Sequence, residues 1–184
     1  MKVAGKFMNS RTKDILRKIT PYLKSGDCII DIGSGDCTVA NTLGNNGYEI
    51  TPLDIRDESV HQNFRPIIYD GKNIPFPDDS FDVALLITVL HHTKQPIEIL
   101  KEAIRVAPRI IVMEDLYKNL LQKYLTFTMD SLLNLEFFGH PHTNMTQEQW
   151  EGVFNKLGLK ILDRNIHNFW RFFTSGTFYL EKVK

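Results

Sequence analysis

The sequence predicts an α/β fold, a central sheet wrapped by helices, and three observations predict it. Apolar strand-like runs alternate with amphipathic helical runs along nearly all of the 184 residues, the signature of α/β folds. Two runs, CIIDIG (28–33) and FDVALLI (81–87), are apolar without alternation, as in strands buried on both faces. No repeat, low-complexity stretch or linker divides the chain, and its length fits one domain spanning 1–184.

The elements follow in order. Ile15, Leu16, Ile19 and Leu23 share one helical face. A first helix is expected there, capped by Asn9 or Ser10 and ended or bent at Pro21. After strand one (28–33), residues 36–45 read as a helix closed by Gly44 and NNG (45–47). YEITPLD (48–54) is strand two, PIIYD (66–70) strand three, and FDVALLI strand four, the most apolar and so the central one. GKNIPFPDDS (71–80) holds Pro75 and Pro77, so strands three and four are joined by a loop. Within it Asp78, Asp79 and Ser80 read as a turn, and Asp82 as a strand-edge cap.

PIEILKEAIRVA (96–107) is an amphipathic helix with proline in its first turn, and RIIVMED (109–115) is strand five. Thr146 and Gln149 form a capping box for a helix over 146–158. LKILDRN (159–165) and TSGTFYLEK (174–182) are the last two strands, joined by IHNFWRFF. About thirty residues between strand five and the helix at 146 exceed what a crossover needs. Residues 116–139 are apolar and helical in pattern, so 116–145 is expected to be a helical cover on the substrate side. Its apolar face, with Leu120, Leu121, Tyr124, Leu125, Phe127, Leu132, Phe137 and Phe138, either packs as core or lines an acceptor site.

Bulk composition narrows the function. Net charge is zero, but residues 1–25 hold seven Lys/Arg and one acid, and residues 26–100 hold four and twelve. So acidic a middle is a poor surface for nucleic acid. The basic N-terminus reads as a solvated helix face. Cys28 and Cys37 are too few for a disulfide framework and lack C-x-x-C spacing. There is no secretory signal and no apolar run of about 20 residues, so a soluble, cytoplasmic chain is expected. A monomer or a homodimer fits equally.

Open α/β sheets bind ligands beyond the carboxyl ends of their strands. Strand one delivers Asp31, Gly33, Ser34 and Gly35 there; strand two Asp54; strand three Asp70 and Gly71; strand four Thr88 and then VLHH (89–92); strand five Glu114 and Asp115. Glycines 33 and 35 permit a tight turn and close approach of a ligand. Asp54 stands nineteen residues beyond Gly35, where an acid can take ribose hydroxyls. Asp70 and Gly71 offer a carboxylate and an N–H to a base edge.

The set suits an adenosine. A dinucleotide such as NAD would bring a pyrophosphate against Asp31 and Asp36, with no Lys or Arg among the strand ends. Two unit charges about 4 Å apart interact by about 4 kcal/mol at an effective dielectric of 20, so the sign of the ligand matters. Thr38 also stands where the dinucleotide fingerprint wants Gly or Ala. S-adenosylmethionine has no phosphate and brings an ammonium and a sulfonium to an acidic mouth. The loop's N–H groups are expected to serve its one carboxylate.

In four stretches the chain resembles class I S-adenosylmethionine-dependent methyltransferases of the type 11 small-molecule group: IIDIGSGDCTVA, PLDI, YDGKNIPFPDDSFDVALLITVLHH and IEILKEAIRVAPRIIVMED. The likeness spans about 20–115, continues loosely over 146–182 and omits 116–145. It implies a Rossmann-like, doubly wound, seven-stranded sheet, mostly parallel with the last strand antiparallel. It implies that Asp31, Gly33, Ser34 and Gly35 surround the methionine part, and that Asp54 takes the ribose with Ile55 against the adenine. Asp70 and Gly71 would face the adenine edge, with Thr88 and Val89 as the floor near the sulfonium. Cys37 departs from the family, which often has a third glycine there.

The implied activity moves a methyl group to a small or medium organic acceptor. The alternatives are a module that binds the cofactor without turnover and an NAD-dependent oxidoreductase. A lipid-modifying enzyme, touching a membrane surface, is a variant motivated by the basic N-terminus and the Phe/Leu-rich stretch. No residue declares itself as the general base. The candidates are His91 and His92 at the end of strand four, and His140 and His142 near Glu136, where H-x-H also has metal-ligand spacing without a supporting acid or cysteine cluster. No metal is expected.

Overall fold

The computed structural model describes residues 2–117, 144–169 and 173–183, and the side chains of 10–117, 144–168 and 174–183. Residues 118–143, with most of the expected cover and with His140 and His142, lie outside the described residues.

Seven strands form one sheet: β1 (Cys28–Ile32), β2 (Glu49–Asp54), β3 (Ile67–Ile68), β4 (Val83–Ile87), β5 (Arg109–Leu116), β6 (Leu159–Phe169) and β7 (Phe173–Lys182). Their spatial order is β3-β2-β1-β4-β5-β7-β6. The pairings from β3 through β5 are parallel, whereas β7 runs antiparallel to both β5 and β6. The strand order reverses between β1 and β4, the switch point at which α/β sheets bind ligands.

Alternate residues of each central strand feed opposite faces. Ile29, Val83, Leu85, Ile111 and Met113 pack under α1 (Lys2–Ile19) and α2 (Thr38–Asn45) through Ile15, Ile19 and Leu43. Ile30, Ala84, Leu86, Ile110 and Val112 pack under α3 (Pro96–Val106) and α4 (Gln147–Lys156) through Leu100, Ala103, Trp150 and Phe154. Each such aliphatic side chain contributes about 1.5–3 kcal/mol by leaving water. The sheet is thus wound on both sides.

Element ends follow local chemistry. Pro21 converts the end of α1 into a 3-10 turn over Thr20–Tyr22. The α4 capping box is complete: Thr146 Oγ1 accepts from Gln149 N, and Gln149 Oε1 accepts from Thr146 N at 2.9 Å. Asp82 caps the edge of β1, accepting from Cys28 N at 2.9 Å.

Three expectations are corrected. The first helix begins at Lys2, so Asn9 and Ser10 lie inside it rather than at its cap. No proline interrupts 2–19, and nothing there stops the helix from extending toward the N-terminus. Strand three shrinks to two exposed residues, because it is an edge strand that pairs only with Leu53 and Asp54. Strand six runs on through Ile166–Phe169, since β7 offers it partners along its whole length, so IHNFWRFF is mostly strand.

Candidate active site

The glycine turn follows β1. Gly33 and Gly35 have φ of +76° and +52°, in the left-handed region. A Cβ at Gly33 would lie 2.2 Å from Val89 Cγ2, so only glycine lets the β1 turn and the β4 turn meet here. Cys37 also has a left-handed backbone, φ +59°. That explains why glycine suits this position, and it marks the cysteine as a strained substitute.

Five of the turn's N–H groups are occupied, those of residues 33, 34, 35, 37 and 38. Gly33 N and Ser34 N donate to Leu53 O at 2.8 and 3.1 Å, and Cys37 N donates to Ser34 O at 2.9 Å. Thr38 N, opening α2, donates to Asp36 Oδ1 at 2.9 Å. Gly35 N donates to Asp54 Oδ2 at 2.8 Å, and Asp54 Oδ1 accepts from Ile55 N at 2.7 Å. The expectation that these N–H groups serve a ligand carboxylate is therefore corrected. Those of Gly33, Ser34 and Gly35 knit β1 to β2 instead, those of Cys37 and Thr38 close the turn on itself, and Asp54 is the pin that holds it. A carboxylate has about four lone-pair sites, so Asp54 retains acceptor capacity toward a ligand.

Asp31 differs from its neighbours. It is buried, and its carboxyl makes no hydrogen bond among the described residues. Burial, reinforced by the nearby carboxylates of Asp54 and Asp36, pushes its carboxyl up to about 7. Asp70 is exposed, and its Oδ1 accepts from Asn73 N at 2.7 Å and Lys72 N at 2.8 Å. These bonds hold its carboxyl below the usual range and shape the turn at Gly71, φ +73°. A Cβ on Gly71 would lie 3.0 Å from Ile55 Cγ2, so the strand-two and strand-three loops close on one another. Ile55 is 51% exposed, an apolar side chain presented at the carboxyl edge.

At the end of β4, Thr88 has φ +51°, an outlier for a β-branched residue. Its N–H donates to Met113 O at 2.6 Å, and its Oγ1 accepts from Arg11 Nη2 at 3.2 Å. Sequence reasoning found no base among the strand ends; α1 brings one from 77 residues away. No local signal marks Arg11, because only helix packing places it.

The His91–Glu114 pair was not legible in the sequence either. Both residues are buried, with His91 Nδ1 hydrogen-bonded to Glu114 Oε2 and Leu90 N donating to Glu114 Oε1 at 2.8 Å. Glu114 thus clamps the 89–92 turn from β5. The His92 ring lies beside it, centroids 4.0 Å apart. Beyond β5, a cleft of about 190 Å³ is lined by Leu116, Tyr117, Thr146, Ile166 and Thr174 among others. Among the described residues no cluster of three His, Cys, Asp or Glu could hold a metal ion, and no helix is long and apolar enough to cross a membrane.

A sheet of this order, with a glycine turn at the switch point and acids ending β1, β2 and β3, is that of a class I S-adenosylmethionine-dependent methyltransferase. The family model described as a methyltransferase domain matches residues 4–164. The chain belongs to this methyltransferase domain family.

Solved structures share the fold. A SAM-dependent methyltransferase from Methanosarcina mazei is 18% identical, with 90% of this chain and 97% of that chain covered and a TM-score of 0.69. Magnesium protoporphyrin IX methyltransferase from Synechocystis, with bound SAH, is 14% identical, with 95% and 83% covered and a TM-score of 0.68. A [4+2]-cyclase is also 14% identical, with 94% and 80% covered and a TM-score of 0.69. No curated protein matches the chain in sequence.

The residues fit the cofactor. A buried carboxyl that lacks a hydrogen-bond partner ionises readily only beside a cation, and S-adenosylmethionine carries two. The same acids oppose a pyrophosphate, which disfavours NAD.

Proposed function

We propose that this methyltransferase acts on a small or medium organic acceptor, bound over the carboxyl ends of β4 and β5 and the adjoining amino-terminal end of β7. We assign the cofactor to the switch point: Asp31, Gly33, Ser34 and Gly35 about the methionine part, Asp54 and Ile55 on the adenosine, Asp70 and Gly71 at the base edge, Thr88 and Val89 beneath the sulfonium. The observation that carries the cofactor assignment is Asp31, its carboxyl buried beside those of Asp54 and Asp36 with no hydrogen bond among the described residues. In this reading 1–184 form one domain, and 116–145 cover the acceptor.

Bound, the cofactor supplies a methyl group on a good leaving thioether, ready for in-line displacement. What remains for the chain is alignment, which can supply about 7–11 kcal/mol. Asp54 fixes the glycine turn and keeps acceptor capacity for a hydroxyl. Val89 and Gly33 close the floor, and Glu114 locks the turn that carries Val89. Glu114 takes His91 Nδ1, which orients the ring and holds that turn. A base for acceptors that must lose a proton belongs to the acceptor half, where His92 is half-buried.

The fold is shared by a [4+2]-cyclase, so the chemistry must be tested at the site. S-adenosylhomocysteine at 100 times Kd should add about 2.7 kcal/mol, raising the melting temperature by roughly 5–10 °C at this size. NAD should leave it unchanged; a shift with NAD alone would overturn the reading. Release of S-adenosylhomocysteine in a screen of small acceptors separates turnover from mere binding.

A further inference from the structure

Among the described residues there are seven arginines, and six of them pair with a carboxylate, as Arg109 does with Asp27 and Arg105 with Glu102. Arg11 is the exception. Its guanidinium is exposed, has no acidic partner among the described residues, and donates to the Thr88 hydroxyl at 3.2 Å. One and two turns further along the same face, Ile15 and Ile19 are sunk in the core against Val83, Leu85 and Ile111. The helix is therefore anchored, and its cation is fixed over the carboxyl end of β4. Thr88 precedes Val89, the residue that closes on Gly33. Arg11 thus sits at the methionine end of the site, where every other charged group is an acid.

S-adenosylmethionine has one negative group, its carboxylate. The acids repel it, and the N–H groups of residues 33, 34, 35, 37 and 38 are occupied within the turn. We propose that Arg11 binds the cofactor's carboxylate, with Thr88 Oγ1 orienting the guanidinium. A guanidinium offers the planar, paired donors that a carboxylate accepts. Helix α1 is then part of the binding site, and Arg11 is what distinguishes the intact cofactor from adenosyl thioethers lacking the amino-acid tail. The proposal rests on the assignment of the methionine part to the β1 turn.

The test is calorimetry on the whole chain with two ligands, S-adenosylhomocysteine and 5′-methylthioadenosine, which lacks the carboxylate and ammonium. Arg11→Ala should weaken the first about 10–100-fold, as expected for loss of a charge-assisted pair, and leave the second within twofold. Arg11→Lys should recover part of the loss. Because Arg11 is exposed, the thermal midpoint of the free protein should not move. Equal weakening of both ligands, or of neither, overturns the proposal. The cofactor assignment is checked separately: Asp54→Ala should weaken both ligands, and a wild-type chain that binds neither overturns that assignment instead.

Discussion

At the carboxyl ends of β1 and β2, polar groups answer one another through the main chain: Asp54 holds Gly35, Asp36 holds Thr38, and the backbone of Leu53 holds Gly33 and Ser34. At the ends of β5 and β7 the pattern is different. There the Asn144 side-chain carbonyl and the hydroxyls of Ser175 and Thr177 are buried without a partner among the described residues, and Glu114 clamps His91 from β5. The first half is a rigid cradle whose shape follows from short loops. The second takes its order from side chains far apart in the chain. An enzyme that keeps one cofactor while its acceptor varies would be built this way.

Substitutions can break this contrast. Glu114→Ala should have the largest effect on stability, about 3–5 kcal/mol, because it strands a buried imidazole and a buried N–H. Chemical denaturation measures it, and the folded protein should keep its affinity for S-adenosylhomocysteine within about threefold. Gly33→Ala should reverse that balance. Its added methyl collides with Val89 in a left-handed backbone, costing about 2–4 kcal/mol and more than about 100-fold in affinity. The double variant Gly33→Ala, Val89→Ala should regain the steric part; no recovery would show that the two turns do not share a floor.

Asp31 gives a pH signature. Its folded-state carboxyl titrates near 7, above the 3.8 of an ordinary aspartate. Between those values the folded chain keeps a proton that the unfolded chain has lost. Its contribution is therefore fully present below about pH 4 and is lost as pH rises to about 7. Asp31→Asn should flatten that fall in thermal midpoint. The ligand's ammonium, placed beside Asp31, favours the ionised carboxyl, so wild-type affinity for S-adenosylhomocysteine should rise from pH 5 to 8, and the variant's should stay flat. Calorimetry in buffers of different ionisation enthalpy counts the released proton. The smallest effect belongs to Thr146→Ala, which removes the α4 cap for about 1 kcal/mol and should spare cofactor affinity altogether.

Much of the fold was legible in the sequence because its signals are local. Strand runs, the proline that ends α1, and the Thr146–Gln149 box each act within a few residues. Helix extent was less legible: Asn9 and Ser10 resemble caps, yet nothing before them prevents another two turns. Strand length also escaped the sequence at β3 and β6, because it depends on what the neighbouring strand offers. In the site, the acids could be read because each falls at the end of its own strand. The state of those acids could not. The carboxyl of Asp31 is buried without a hydrogen-bond partner among the described residues, while Asp70, expected to face a ligand, is engaged by its own turn.

The sequence by itself determined the strand order's raw material, the glycine turn, the four strand-end acids and the sign of the ligand they accept. These depend on residue type and on spacing within single βα units. The tertiary structure alone decided that Asp54 takes the N–H of Gly35, that Glu114 reaches back to His91, and that Arg11 arrives at Thr88. Those facts join residues 19, 23 and 77 positions apart, and only packing of α1 and the parallel sheet brings them within bonding distance.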